Sequence, residues 1–371
     1  MKKAILIFGT RPEAIKLAPL ISRMKSSSSI TPIVCSTGQH REMLEPVLDF
    51  FGIELDYDLN LMKKNQTLHE LTANILLGLD PLIEEAKPDV VIVQGDTTTC
   101  LAGALTAFYH KLKVAHIEAG LRSDNRYSPF PEEINRVLTT HISDYHFAPT
   151  ERARQCLLKE GIDDKIIYVV GNTVIDALLL GLNNIQGVTS DYFSPQFDMI
   201  DFSKHILLVT GHRRESFGKP FHDICKALLE IARDDRVEIV YPVHLNPNVR
   251  DPVFSILGDK DNIHLIEPLS YPAMIYLMSK SYIILTDSGG VQEEAPTLKK
   301  PVLVMREVTE RTEGLDAGVT KLVGTSTQRI VEETVNLLNK RDEYDNMATG
   351  HNPYGDGLAS MRIVDMLESL L

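Results

Sequence analysis

The residues able to do chemistry stand where apolar runs end. Val90-Val91-Ile92-Val93 leads into Gln94-Gly95-Asp96-Thr97-Thr98-Thr99, so Asp96 lies just past a buried strand. Val114-Ala115-His116-Ile117 ends in the same way at Glu118-Ala119-Gly120-Leu121-Arg122. A carboxylate closing an apolar strand needs a partner or a task, because an unpaired buried charge is costly. Acid–base work is one such task. The structural alternatives are an N-cap role for Asp96 and an ion pair with Arg122 for Glu118. Ser128-Pro129-Phe130-Pro131-Glu132-Glu133 opens a helix with Pro131 in its first turn, and there acidic residues favour the macrodipole. A purely structural role is therefore expected for one of Glu132 and Glu133.

Three further segments suit anions. Gly9-Thr10-Arg11-Pro12-Glu13-Ala14-Ile15-Lys16 follows the apolar run 4–8. Thr10 and Glu13 fit the capping box that starts a helix, and Pro12 is tolerated in a first turn. A helix N-terminus at the end of a parallel strand attracts anions, and Arg11 and Lys16 add charge there. An ordinary strand–helix turn with solvated charges is the alternative. Gly211-His212-Arg213-Arg214-Glu215 sits at a second strand end, where paired arginines suit a diphosphate. Thr286-Asp287-Ser288-Gly289-Gly290-Val291-Gln292-Glu293-Glu294 combines a capping serine with glycines that let backbone N–H groups approach a phosphate. Glu294 stands within two helical turns, where it could accept ribose hydroxyls. No G-x-G-x-x-G, P-loop, H-E-x-x-H, EF-hand loop or G-x-S-x-G elbow is present, so neither a metal nor a dinucleotide is indicated.

These segments need a scaffold of strands ending on one edge. Apolar runs expected as strands are 3–8, 31–36, 89–93, 113–118, 144–148 and 166–170, then 205–210, 236–241, 263–266, 282–286, 301–305 and 320–323. Separated by amphipathic stretches, they indicate parallel strands covered on both faces. Helix 13–25 should bury Leu17, Leu20, Ile21 and Met24. The rhythm breaks over 181–203, rich in Gly, Asn and Ser, and the boundary is placed there or slightly before it. The expected fold is α/β, with two doubly wound Rossmann-like domains and a central cleft. The first spans 1–170 and the second 171–353, and a C-terminal helix within 354–371 packs back on the first.

The bulk properties fit a soluble protein. At 371 residues and 43% apolar content, the chain is long enough for two cores. A formal charge of -13 argues against a nucleic-acid or anionic-membrane surface, so an anionic ligand must be held by local cations and helix ends. Cys35, Cys100, Cys156 and Cys225 are scattered, which argues against a disulfide framework or a zinc site. No run approaches 18 apolar residues and no secretory h-region appears; a cytoplasmic location is expected.

In order along the chain stand GTRPEAIKLAPL (9–20), QHREML (39–44), GDTTT (95–99), EAGLRS (118–123), SPFPEEINR (128–136) and GNTVIDAL (171–178). GHRRESFG (211–218), YPVHLNPNVR (241–250), TDSGGVQEEAP (286–296) and HNPYGDG (351–357) follow. With this set the whole chain resembles the bacterial and archaeal non-hydrolysing UDP-N-acetylglucosamine 2-epimerases. The resemblance implies a homodimer of GT-B-like subunits that interconverts UDP-GlcNAc and UDP-ManNAc without metal or nicotinamide. The C2 proton is removed as UDP leaves C1, giving 2-acetamidoglucal, and UDP re-adds as a proton reaches the opposite face. By matching positions, Asp96, Glu118, Glu132 and His212 are the acid–base candidates. Arg11, Lys16 and His212 fall near phosphates or sugar, and Ser288, Gly289, Gly290 and Glu294 around phosphate and ribose. Arg311 is a further candidate for the closed site.

The resemblance also implies a second UDP-GlcNAc, acting as allosteric activator, at Gln39, Gln66, Glu132, Arg213 and His244. Two departures stand out. Asn65 precedes Gln66 where some activated members carry an arginine, and Glu310-Arg311-Thr312-Glu313-Gly314 replaces the usual E-R-P-E-A. Competing readings are a hydrolysing epimerase, a GT-B glycosyltransferase and a silent nucleotide-sugar sensor. The complete QHREML and HRRESFG segments favour the non-hydrolysing enzyme.

Overall fold

The computed structural model describes residues 1–38, 41–63, 66–186, 193–211, 213, 217–258 and 260–371; the side chains at 41–43 and 194 fall outside that description. The chain folds as two compact units, Met1–Leu180 with Tyr354–Leu371, and Gly181–Pro353. The division expected at 170/171 is thus displaced into a helix. Val174 and Ile175 form a small cluster with Tyr354, which ties the start of that helix to the first unit.

In the first unit, strands β1 (Lys2–Phe8), β2 (Ile30–Ser36), β3 (Tyr57–Asp58), β4 (Val90–Gln94), β5 (Lys113–Ile117), β6 (Tyr145–Ala148) and β7 (Ile167–Val169) form one sheet. Its helices are α1 (Arg11–Lys25), α2 (Arg41–Phe51), α3 (Leu68–Ala86), α4 (Thr98–Tyr109), α5 (Glu132–Ile142) and α6 (Glu151–Lys159). Helix α7 (Thr173–Gln186) carries the chain across the division. The strand order is β3-β2-β1-β4-β5-β6-β7, every pairing parallel. The order reverses between β1 and β4, and α/β sheets place ligands at such a switch point, outside the strands' carboxyl ends. Ile5, Ile7, Val91 and Val93 pack with Ile75 and Leu79 of α3 and Ala102 and Ala104 of α4. Strand β3 has no counterpart among the expected strands, being only two residues long and without an apolar run.

The second unit repeats the scheme. Its short α8 (Ser194–Phe197) is followed by β8 (His205–Thr210), α9 (Lys219–Ile231), β9 (Val237–Pro242), α10 (Pro247–Leu257), β10 (Ile263–Ile266), α11 (Tyr271–Lys280) and β11 (Ile283–Thr286). Then come α12 (Gly289–Glu294), β12 (Val302–Val304), α13 (Thr312–Asp316), β13 (Thr320–Leu322), α14 (Thr327–Asn339) and α15 (Arg341–Thr349). The order β10-β9-β8-β11-β12-β13 puts the switch point between β8 and β11. Leu207, Val209, Ile239, Ile283 and Leu285 are fully buried and pack with Phe221 and Leu228 of α9 and Ile330 and Leu337 of α14. Both units are therefore doubly wound α/β, as expected.

The last helix, α16 (Ala359–Leu370), packs against α1 in the first unit. Asp176 of α7 caps it, accepting from Ser360 N at 2.7 Å and Ala359 N at 3.3 Å. Among the described residues no helix is long and apolar enough to cross a membrane.

Candidate active site

Around the first switch point, Thr10 is the N-cap of α1 and Glu13 its N3 residue, the capping box read from the sequence. The helix begins at Arg11, two residues before the expected start, because Pro12 fits its first turn. Lys16 lies one turn further on, and its Nζ reaches Glu118 Oε1 at 2.7 Å and Oε2 at 2.6 Å. Glu118 is buried and also accepts from Gln94 Nε2 and from Asn172 Nδ2. Its φ of +65° is left-handed, so Glu118 ends β5 in a turn rather than entering a helix. The alternative partner, Arg122, instead binds Glu160, at 2.6 and 2.7 Å.

Asp96 is not the N-cap of α4. Thr97 is, its hydroxyl accepting from Cys100 N at 3.0 Å. Asp96 Oδ2 is instead bonded by Arg136 Nη2 at 2.6 Å, and its carbonyl accepts from Asn135 Nδ2 at 3.0 Å. Arg136 also pairs with Glu133, at 3.1 Å. Glu133, buried, accepts from Ser123 N and Asp124 N and so takes the structural role. Glu132 opens α5 and is only partly covered, and no side-chain partner is seen for it among the described residues. Arg136 is the residue that sequence reading missed. Its signal was its place in SPFPEEINR, one turn past Glu132 on the helix that opens there.

Beneath this edge, the Nε2 of fully buried His116 lies 2.7 Å from the Gly95 carbonyl, an acceptor that fixes Nε2 as the protonated nitrogen. Burial pulls its pKa down to about 3, so the ring is neutral. Cys100 Sγ bonds the same carbonyl at 3.2 Å, and burial pushes that thiol well up, leaving it inert.

At the second switch point, Asp287 follows β11 and accepts from Arg213 N at 2.8 Å, while Arg213 Nε donates to the Asp287 carbonyl at 3.3 Å. The Thr210 and Thr286 hydroxyls meet at 2.6 Å, and Thr286 Oγ1 accepts from Ser288 N at 2.9 Å. Ser288 occupies the N-cap of α12 without a side-chain cap bond. A Cβ on Gly289 would stand 3.1 Å from Arg311 Cζ and 3.2 Å from its Nε, so the glycine admits the guanidinium. Arg311 Nε bonds Glu293 at 3.0 Å. Glu294 is buried, and its Oε1 accepts from Tyr271 Oη at 2.8 Å.

Two expected site residues, Gln39 and His212, lie outside the described residues, as does Asn65. Of the other activator candidates, Gln66 accepts from Lys63 N, and exposed His244 accepts from Asn246 N through Nδ1. Among the described residues no group of three or more His, Cys, Asp or Glu is placed to hold a metal ion.

Comparison with known proteins supplies a family for this arrangement. A relative from Salmonella typhimurium, the UDP-N-acetylglucosamine 2-epimerase, is 53% identical over 99% of this chain and 98% of its own length. A probable UDP-N-acetylglucosamine 2-epimerase of Ralstonia nicotianae is 54% identical over 100% of this chain and 99% of its own. The crystal structure of the Neisseria meningitidis UDP-GlcNAc 2-epimerase, bound to UDP-GlcNAc, superposes with a TM-score of 0.92 at 50% identity, covering 99% of this chain and all of that one. The family model for UDP-N-acetylglucosamine 2-epimerase matches residues 22–368. With matches of this extent, the chain belongs to the UDP-N-acetylglucosamine 2-epimerase family.

Proposed function

We propose that this chain interconverts UDP-GlcNAc and UDP-ManNAc without releasing the sugar. The observation that carries the reading is a pair of carboxylates at neighbouring strand ends, each held by a cation: Asp96 by Arg136 and Glu118 by Lys16. Such pairs hold the carboxylates in place, as a base needs to be held. The C2 hydrogen neighbours an acetamido nitrogen rather than a carbonyl, so no enolate relieves the charge. In the proposed route a base takes the C2 proton, the C–H electrons form the C1–C2 double bond, and the C1–O bond breaks with its pair leaving on UDP. Re-addition of UDP at C1 to the 2-acetamidoglucal, with a proton delivered to the opposite face of C2, completes the inversion. Asp96, Glu118, Glu132 and His212 are the groups assigned to these proton transfers.

Arg11, Lys16 and Arg311 are assigned to the anionic leaving group, and the backbone at Ser288, Gly289 and Gly290 to phosphate. Glu294 is assigned to the ribose. The related Neisseria protein holds UDP-GlcNAc, which supports a nucleotide-sugar ligand for this chain. A second UDP-GlcNAc as activator is assigned to Gln39, Gln66, Glu132, Arg213 and His244. We assign the enzyme to the cytoplasm, supplying ManNAc units for surface polysaccharide. A homodimer accords with apolar side chains exposed on packed helices α3 and α4, where Leu77 is 73%, Phe108 59% and Tyr109 67% exposed.

The test is proton NMR of the protein with UDP-GlcNAc in heavy water. Formation of UDP-ManNAc with deuterium at C2 and the UDP linkage intact is the expected result. Free ManNAc with UDP identifies the hydrolysing reaction instead, and absence of C2 exchange in folded protein overturns the epimerase reading.

A further inference from the structure

Glu13 is 1% exposed, and no acid–base or binding role accounts for it. Its Oε2 accepts from Gly9 N at 3.1 Å, Thr10 N at 2.8 Å and Thr10 Oγ1 at 2.7 Å, all in the turn between β1 and α1. Its Oε1 accepts from Thr97 Oγ1 at 2.6 Å, in the turn between β4 and α4. A capping box needs only the first set, so the bond to Thr97 is additional. Thr97 is itself fixed, since its oxygen takes Cys100 N while its proton goes to Glu13. The two turns flank the switch point of the sheet, where chain connections diverge to opposite sides and no covalent link spans the gap.

One carboxylate thus joins the turn carrying Arg11 and Lys16 to the turn carrying Asp96, the residue before Thr97. We propose that Glu13 and Thr97 are a positioning pair, which sets Asp96 in register with the Lys16–Glu118 pair across the switch point. The inference rests on the epimerase reading and deepens it. Burial pushes the Glu13 carboxyl up, while its bonds to Thr97, Thr10 and Gly9 pull it down. These donors and the N-terminal ends of α1 and α4 satisfy the group where it stands. Purely local capping would make the Thr97 hydroxyl dispensable to turnover. A positioning role makes it matter to the chemical step and not to nucleotide affinity.

The experiment compares Thr97→Val, Thr97→Ser and Glu13→Gln with the wild type, reading kcat, KM, UDP affinity by calorimetry, and melting temperature. Thr97→Val is expected to lower kcat by about 10- to 100-fold, the cost of misplacing a reacting group by about 1 Å, with KM and UDP affinity within about threefold. Thr97→Ser, which keeps the hydroxyl, should recover most of the loss. The Glu13→Gln/Thr97→Val double variant should lose less than the product of the single losses, because the Glu13–Thr97 contact is common to both. Thr97→Val also removes the bond from Cys100 N, and Glu13→Gln disturbs those from Gly9 and Thr10. Wild-type kcat in Thr97→Val, a loss confined to KM, or multiplicative losses in the double variant would overturn the proposal. If Thr97→Val does not fold, Glu13→Gln is judged by the same split, and unfolding of both also overturns it. Failure of the epimerase reading is distinct: the wild type itself would then show no exchange at C2.

Discussion

Lys16 Nζ reaches both carboxylate oxygens of Glu118, at 2.7 and 2.6 Å, across 102 residues of sequence. Both side chains are largely covered, and Gln94 and Asn172 take further Glu118 lone pairs. The carboxylate is thus over-determined in position, with Lys16 a cation paired to it. A nucleotide diphosphate in the first site would compete for that same ammonium. Engaging substrate would then change the charge felt by Glu118, a coupling between leaving group and proton transfer in one lysine.

That arrangement makes Lys16 a stability residue as well as a proposed binding one. Removing one partner of a covered ion pair leaves the other desolvated and uncompensated. Lys16→Met is expected to cost about 2 kcal/mol, measured by urea unfolding. Adding Glu118→Gln should recover part of that cost, because no charge is left stranded. A Lys16→Met protein as stable as the wild type would show that Gln94 and Asn172 suffice.

Asp96 and Arg136 invite a kinetic test. Asp96→Asn keeps the shape and removes one of the proposed acid–base groups, so C2 exchange should fall by about 100- to 10,000-fold while UDP affinity holds within about threefold. Arg136→Met leaves Asp96 without the guanidinium bonded at 2.6 Å and should reduce exchange in the same sense, by about tenfold or more. Deuterium entry at C2 in single turnover, beside UDP calorimetry, separates chemistry from binding. Undiminished exchange in Asp96→Asn would remove Asp96 from the reacting groups.

Gly289 offers a steric test in the second unit. A Cβ there would press on the Arg311 guanidinium at 3.1 Å and strain its bond to Glu293. Gly289→Ala is expected to weaken UDP binding by about tenfold, with the melting temperature little changed, since alanine suits a helix better than glycine. Unaltered UDP affinity would show that Arg311 swings away at no cost or takes no part in holding the nucleotide.

The sheets were legible because parallel strands covered on both faces are written as continuous β-branched runs, and those runs are unmistakable in Val90–Val93 and His205–Thr210. Strand β3 was not, because an edge of two partly exposed residues owes its pairing to Cys35 and Ser36 rather than to its own composition. The positions of Asp96 and Glu118 could be read from the ends of runs, but their partners could not. Lys16 and Arg136 come from other elements, and only the folded sheet brings them near. Thr97 and Asp96 are both competent caps, and the left-handed Gly95, at φ +72°, decides between them by turning the chain before Asp96. The structural alternative for Glu118, a pair with Arg122, does not form: Arg122 goes to Glu160 and Glu118 to Lys16.

The buried imidazole of His116 predicts a signature in stability against pH. Its folded pKa is depressed to about 3 chiefly by burial, while the unfolded chain titrates near the ordinary value of about 6.5. Between these limits the unfolded state binds the proton and the native state does not, so acid favours unfolding. The contribution is neutral above about pH 6.5 and erodes stability by about 1.4 kcal/mol per unit as pH falls toward 3. His146 and His205 are depressed in the same direction by burial and add to the slope. Glu310 stays out of the upper part of this window. Burial raises its carboxyl, but bonding to Arg306 and the charges of Arg306 and Arg311 prevail and hold it at about 2, so its share is lost only below about pH 4.5. His116→Gln, which can still donate to the Gly95 carbonyl, removes one titrating group and leaves the other histidines in place. Urea unfolding between about pH 5 and 7 should therefore show a flatter profile for His116→Gln than for the wild type, by up to about 1.4 kcal/mol per unit. Parallel profiles would mean that His116 titrates alike in the native and unfolded states, and that burial does not depress it.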